Sequence, residues 1–97
     1  MIRHVVMFRF KGVLSERLET AATFRNALIG LADIISELKS IEVGINENPR
    51  ETWDLVLTAT AETPDDVAAY SVHPAHVAAV NQIKEYIEAR ACVDYTA

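Results

Sequence analysis

The stretch Ile2-Arg3-His4-Val5-Val6-Met7-Phe8-Arg9-Phe10-Lys11 decides the fold. β-branched and aromatic residues dominate it, and neither Gly nor Pro interrupts it, so it predicts a strand. Side chains alternate across a strand. Ile2, His4, Val6, Phe8 and Phe10 therefore share one face, which is almost wholly apolar and belongs on a core. Arg3, Val5, Met7, Arg9 and Lys11 share the other, charged at its ends and apolar in the middle. A face open to water has no need of Val5 and Met7, so something covers part of it.

Working outward, Ser15 to Leu38 predicts one long helix with Ser15 as its N-cap and Glu16 at the positive end of the dipole. Leu14, Leu18, Ala21, Phe24, Leu28, Leu31, Ile35 and Leu38 recur at steps of three and four, the stripe of an amphipathic helix on a core. Gly30 interrupts this pattern and lowers helix propensity, marking a close contact or a bend. Ser40 to Asn46 and Trp53 to Glu62 predict two strands joined by the polar loop Asn46-Glu47-Asn48-Pro49-Arg50-Glu51-Thr52. Thr63-Pro64-Asp65-Asp66 is a helix start with Thr63 as cap and Pro64 in the first turn. This helix runs to Tyr70 or Ser71, because Pro74 disfavours helical geometry at His73. A second helical piece restarts at Pro74 and runs to Tyr86, its apolar stripe beginning at Val77 and Val80. Ile87 to Tyr95 closes the chain as a strand, with Ala89, Ala91, Val93 and Tyr95 on one face.

The order strand, helix, strand, strand, helix, strand is the split βαβ pattern. The expected class is α+β: a ferredoxin-like four-stranded antiparallel sheet with helices on one side. A length of 97 residues is expected to form a single domain over 1–97. Hydrophobic residues make up 51% of the chain and charged residues 24%, a globular balance. A net charge of −5 without a basic run argues against nucleic acid. No apolar run reaches the ~20 residues of a membrane span, and Met1-Ile2-Arg3-His4 lacks a signal-peptide layout. Cys92 is the sole cysteine, so no intrachain disulfide can form; a reducing, cytoplasmic setting is expected.

The chemistry-bearing residues are few. His4 lies on the apolar face of the first strand, where a histidine is by default a hydrogen-bonded structural residue. His73-Pro74-Ala75-His76 places two imidazoles around a helix start. Two nitrogens are half a typical zinc shell, so no metal is expected, and His73 reads as a cap or loop contact. His76 shares a helical face with Val80, Ile83 and Ile87, which points it toward the sheet, at the rim of an interior cavity. Tyr70 precedes it by six residues across the Pro74 break. A phenol and an imidazole that meet can relay a proton; a buried ring with a satisfied hydroxyl is the plainer alternative. No glycine-rich phosphate loop and no nucleophile elbow is present. Cys92 reads as strand packing, and Trp53, Tyr86 and Tyr95 as core or interface aromatics.

Several segments resemble a known family. They are the opening Ile2 to Lys11, Glu42-Val43-Gly44-Ile45-Asn46, Trp53-Asp54-Leu55-Val56-Leu57, Ala69-Tyr70-Ser71-Val72-His73-Pro74-Ala75-His76-Val77, and the closing Val93-Asp94-Tyr95. They are similar, in order and over nearly the whole chain, to the stress-responsive α/β barrel (Dabb) domain family. That resemblance implies a homodimer paired through its sheet faces into a dimeric α/β barrel, which would cover Val5 and Met7. It implies no reaction by itself, since many members have no known activity. A plant polyketide cyclase related to the family works without a cofactor through a tyrosine–histidine acid–base pair. Tyr70 and His76 match that pair, and His4 matches its first-strand histidine. Asp54 departs from the pattern, standing where that cyclase has another histidine.

Two functional expectations follow: a barrel that binds a small apolar or carbonyl compound between sheet and helices without chemistry, or a cofactor-free acid–base enzyme using His76, Tyr70 and His4.

Overall fold

β1 (Ile2–Phe10) runs through the middle of a four-stranded antiparallel sheet, with β3 (Leu55–Ala61) on one side and β4 (Ile87–Thr96) on the other. β2 (Ser40–Ile45) lies outside β3, giving the order β2-β3-β1-β4, the ferredoxin-like arrangement read from the sequence. The computed structural model describes residues 1–97. Three α-helices complete it: α1 (Leu14–Leu28), α2 (Pro64–Val72) and α3 (Pro74–Asn81). No helix is long and apolar enough to cross a membrane.

The alternation expected of β1 holds. His4, Val6, Phe8 and Phe10 are buried on the helix side, together with Leu55, Leu57, Ala59 and Ala61 of β3. Phe24 of α1 meets Phe8 edge-on, with 5.1 Å between ring centres, and Phe10 at 6.4 Å, so three aromatic rings form the middle of the core. Edge-to-face pairs of this kind add ~0.5–1.5 kcal/mol beyond area burial.

The long helix expected over Ser15–Leu38 is shorter. α1 ends at Leu28, a single 3₁₀ turn follows at Leu31–Asp33, and the rest is irregular. The apolar stripe survives the break, for Leu31, Ile35 and Leu38 are buried beside Ala21, Phe24 and Leu28. Burial of those three side chains was legible; the straight axis was not, because Gly30 weakens the helix where the chain must bend toward β2. Ser15 is not the cap. Val13 occupies that position, and its N–H donates to the Glu16 carboxylate at 2.9 Å. Gly12, at φ +104°, makes the preceding turn, and a Cβ there would meet Glu16 Oε1 at 2.9 Å. Leu14 and Leu18, at the start of the stripe, are exposed.

The Thr63 cap is as expected, its hydroxyl accepting from the Asp66 N–H at 3.1 Å. The helical piece after Pro74 ends at Asn81, with a 3₁₀ turn over Lys84–Tyr86. Starting at Pro74 turns Ala79 and Ile83 inward and leaves Val77 exposed. Tyr86 and Tyr95, expected as core or interface aromatics, are likewise exposed in the single chain and lie outside its core.

Asp54 is buried at the Phe10 end of β1. It accepts from the Phe10 N–H at 2.8 Å and from Arg17 Nε at 3.2 Å, while Arg17 also donates to the Gly12 carbonyl at 3.0 Å. The pair ties α1 to the β1 end and the β3 approach. Removing one partner of a buried pair leaves the other charge unpaired, which costs ~3–5 kcal/mol. Asp54→Ala should therefore lower the unfolding free energy in urea by about 3 kcal/mol, and the double variant with Arg17→Met should recover part of it. A cost below about 1 kcal/mol would show that water compensates the pair.

Candidate acid–base site

Tyr70 and His76 are brought together by the chain break between α2 and α3. Pro74 lacks an N–H and cannot continue α2. His73 instead caps α3, its Nδ1 accepting the Ala75 N–H at 3.0 Å, so the cap reading of His73 is correct. The elbow folds α3 back so that the rings of Tyr70 and His76 lie 4.4 Å apart between centres. His76 Nδ1 lies 3.0 Å from the Ser71 carbonyl. A carbonyl only accepts, so Nδ1 carries the proton and Nε2 presents a lone pair. The same bond caps a carbonyl at the end of α2, so His76 serves the elbow and leaves its other nitrogen available.

Tyr70 is only 1% exposed, and its hydroxyl has no hydrogen-bond partner within the chain. Leaving such a group unsatisfied costs ~1–3 kcal/mol, which packing alone does not explain. Burial pushes its pKa well above the usual phenol range, with only partial opposition from the Arg90 charge, so it stays protonated as a donor. His76 is half-buried. Burial lowers its pKa, the Ser71 bond works against this, and the charges of His4 and Arg90 add to the lowering. It is therefore a neutral base near pH 7.

His4 enters from β1. Its ring meets Tyr70 edge-on, 6.0 Å between centres. Its Nδ1–H donates to Asp94 of β4, its neighbour across the ladder. The carboxylate fixes the tautomer. All three residues expected to carry chemistry, His4, Tyr70 and His76, thus converge on one region of the helix side, at the β1–β4 edge.

Sequence reading missed the β4 contribution. Cys92, taken as packing, is exposed, and its thiol lies 3.5 Å from both His4 Nδ1 and Asp94 Oδ1. Burial and the Asp94 carboxylate raise its pKa, so it is not a thiolate nucleophile. The ligand atoms of His4, Cys92 and Asp94 lie within 4.8 Å of one another, a spacing that suits a metal ion. The Arg90 charge bears on the same thiol and opposes a cation there. Strand alternation held the signal: pairing Asp94 with His4 places Arg90, Cys92 and Asp94 on the helix side together. Asp54 belongs elsewhere, at the far end of β1 beside Arg17. Five cavities of the chain, from about 290 Å³ to about 490 Å³, are lined by other residues. The core fills the space beneath α1, and the site lies toward the less covered β4 edge.

Comparison with known proteins gives this geometry its context. A protein from Bacteroides fragilis, described as dimeric, ferredoxin-like and of unknown function, superposes with a TM-score of 0.93 at 40% identity, covering 99% of this chain and 95% of that one. A dimeric ferredoxin-like protein of unknown function from Thermobifida fusca superposes at 0.80 with 28% identity, covering 99% and 90%. Olivetolic acid cyclase from Cannabis sativa is 24% identical, covering 98% of this chain and 95% of its own length. The family model of the stress responsive A/B barrel domain matches residues 2–97, and the chain belongs to that family.

Proposed function

We propose that this protein is a homodimeric barrel that performs general acid–base chemistry on a small carbonyl compound at the Tyr70–His76 pair. The observation that carries this reading is the buried, unpartnered Tyr70 hydroxyl beside an imidazole whose Nε2 is free. In this reading His76 Nε2 takes a proton from the carbon next to the substrate carbonyl. The C–H electron pair moves into the new C=C bond, and Tyr70 O–H donates to the oxygen where negative charge builds. His4, held by Asp94, sets its ring edge-on against Tyr70 and positions the phenol. A cyclase among the relatives fits an enzymatic reading, since ring closure at a carbonyl starts from such an enolate.

The dimer is part of the proposal. The register places Val56, Met7 and Ala91 in one row across the outer face of the sheet and Thr58, Val5 and Val93 in the next. Val93 is 63% exposed and Val56 39% exposed in the single chain. A contiguous apolar patch of this kind marks an interface. The Bacteroides and Thermobifida proteins are described as dimeric, which supports a second copy as its cover.

Three outcomes are expected. Deuterium uptake next to the carbonyl of small 1,3-dicarbonyl compounds, followed by NMR, should be slowed ~10²–10⁴-fold by His76→Ala and about 10²-fold by Tyr70→Phe. Full activity in both variants would leave a binding barrel without chemistry. Because the base must be neutral and its pKa is depressed, the rate should stay flat from alkaline to neutral pH. It should fall only below the usual histidine value of ~6.5, and a midpoint at or above that value would contradict the neutral base. Sedimentation at micromolar concentration should give a dimer that Val93→Asp shifts to monomer; a monomeric wild type would refute the pairing.

A further inference from the structure

We propose that the ligand of this site carries a carboxylate, gripped by the Arg90 guanidinium, with a carbonyl oxygen placed toward Tyr70: a 3-oxo carboxylate. The assignment deepens the acid–base reading and rests on the same site. Phe8 pairs with Arg90, Val6 with Cys92 and His4 with Asp94, so all three β4 side chains rise on the helix side of the sheet. Asp94 is taken by His4. Arg90 has no carboxylate within ion-pair distance, although the chain is acidic overall; the chain group it bonds is the Cys92 thiol, a weak acceptor. Arg3, Arg9, Arg17 and Arg25 each donate to a partner, and Arg50, whose side chain makes no such bond, lies in the exposed loop between β2 and β3.

The Arg90 charge nonetheless reaches the rest of the site. It favours the phenolate at Tyr70 and opposes the imidazolium at His76. A guanidinium without a carboxylate partner, on the same side of the sheet as an unpartnered buried hydroxyl, gives two donors, and the complementary ligand is an anion with a second acceptor. One guanidinium matches the single charge of a carboxylate. A 3-oxo acid sets its carboxylate and its carbonyl on either side of one methylene. That methylene carries the protons a neutral His76 would remove. Asp94, the acid on the same row of β4, is engaged by His4 and not by Arg90.

The test compares acetoacetate with its neutral methyl ester, measuring affinity by NMR titration of the full chain. Wild type should bind acetoacetate at least about tenfold tighter than the ester, the scale of one charge-assisted bond. Arg90→Gln should abolish that preference, and Arg90→Lys should retain part of it. Arg90 is exposed on an edge strand, so both variants should fold, and their amide spectra check this. Equal affinity for acid and ester, a preference that survives Arg90→Gln, or binding of inorganic phosphate in place of acetoacetate would each overturn the assignment. A carboxylate preference that depends on Arg90 without any proton exchange would support it while overturning the acid–base reading. Exchange that depends on His76 without a carboxylate preference would do the reverse.

Discussion

The central position of β1 is the constraint on which the rest depends. It is hydrogen-bonded along one edge to β3 and along the other to β4, and its two faces have opposite duties. The helix-side face builds the core from Val6, Phe8 and Phe10 and ends in His4. The outer face carries Val5 and Met7 into the apolar rows that a second copy would cover. A slip of one residue in the pairing would exchange these faces, burying Arg3 and Arg9 and exposing the phenylalanines. The register that makes the core therefore also places His4 against Asp94.

How much of this was legible in the sequence depends on the range of the interaction. Strand alternation is local, so the inward faces of β1 and β3 were readable residue by residue, as was the Thr63 cap. The stripe from Ala21 to Leu38 gave the right buried side chains with the wrong axis. Periodicity reports which residues face the core, whereas the bend at Gly30 answers to where β2 lies. Spacing allows Tyr70 and His76 to converge but does not fix it. The elbow angle that realises it comes from the His73 cap and the Ser71 carbonyl, neither of which periodicity specifies. The family resemblance, by contrast, named His4, Tyr70 and His76 together before any geometry.

The roles of Arg90, Cys92 and Asp94 required a long-range register. From Ile87–Tyr95 alone, either face of the strand can be assigned inward, and the apolar set Ala89, Ala91 and Val93 looks like the inward one. The structure turns that set outward and gives the polar set to the helix side. This arrangement makes sense at an edge strand. The helices cover β2, β3 and β1 more fully than β4, so the helix-side row of β4 is half solvated and can be polar. Its outer row faces the patch and can be apolar. Binary patterning separates the two faces of this strand, and only its pairing with β1 says which layer each meets.

That division links assembly to chemistry. β4 has only β1 as a strand neighbour, and most of its residues are exposed on both faces in the single chain. Its ladder with β1 and the His4–Asp94 bond hold the site side; the outer side has no cover within the chain. A second copy seated on Val93, Ala91 and Met7 would order β4 from behind. Since alternate residues of one strand share a backbone, fixing Ala91 and Val93 also fixes Arg90, Cys92 and Asp94. The polar row is then positioned by burial of the apolar row, without any partner side chain entering the site. On this view the dimer interface acts as a backing for the site, and the acidic chain can keep an arginine without a carboxylate partner there because the strand that bears it is anchored through its other face.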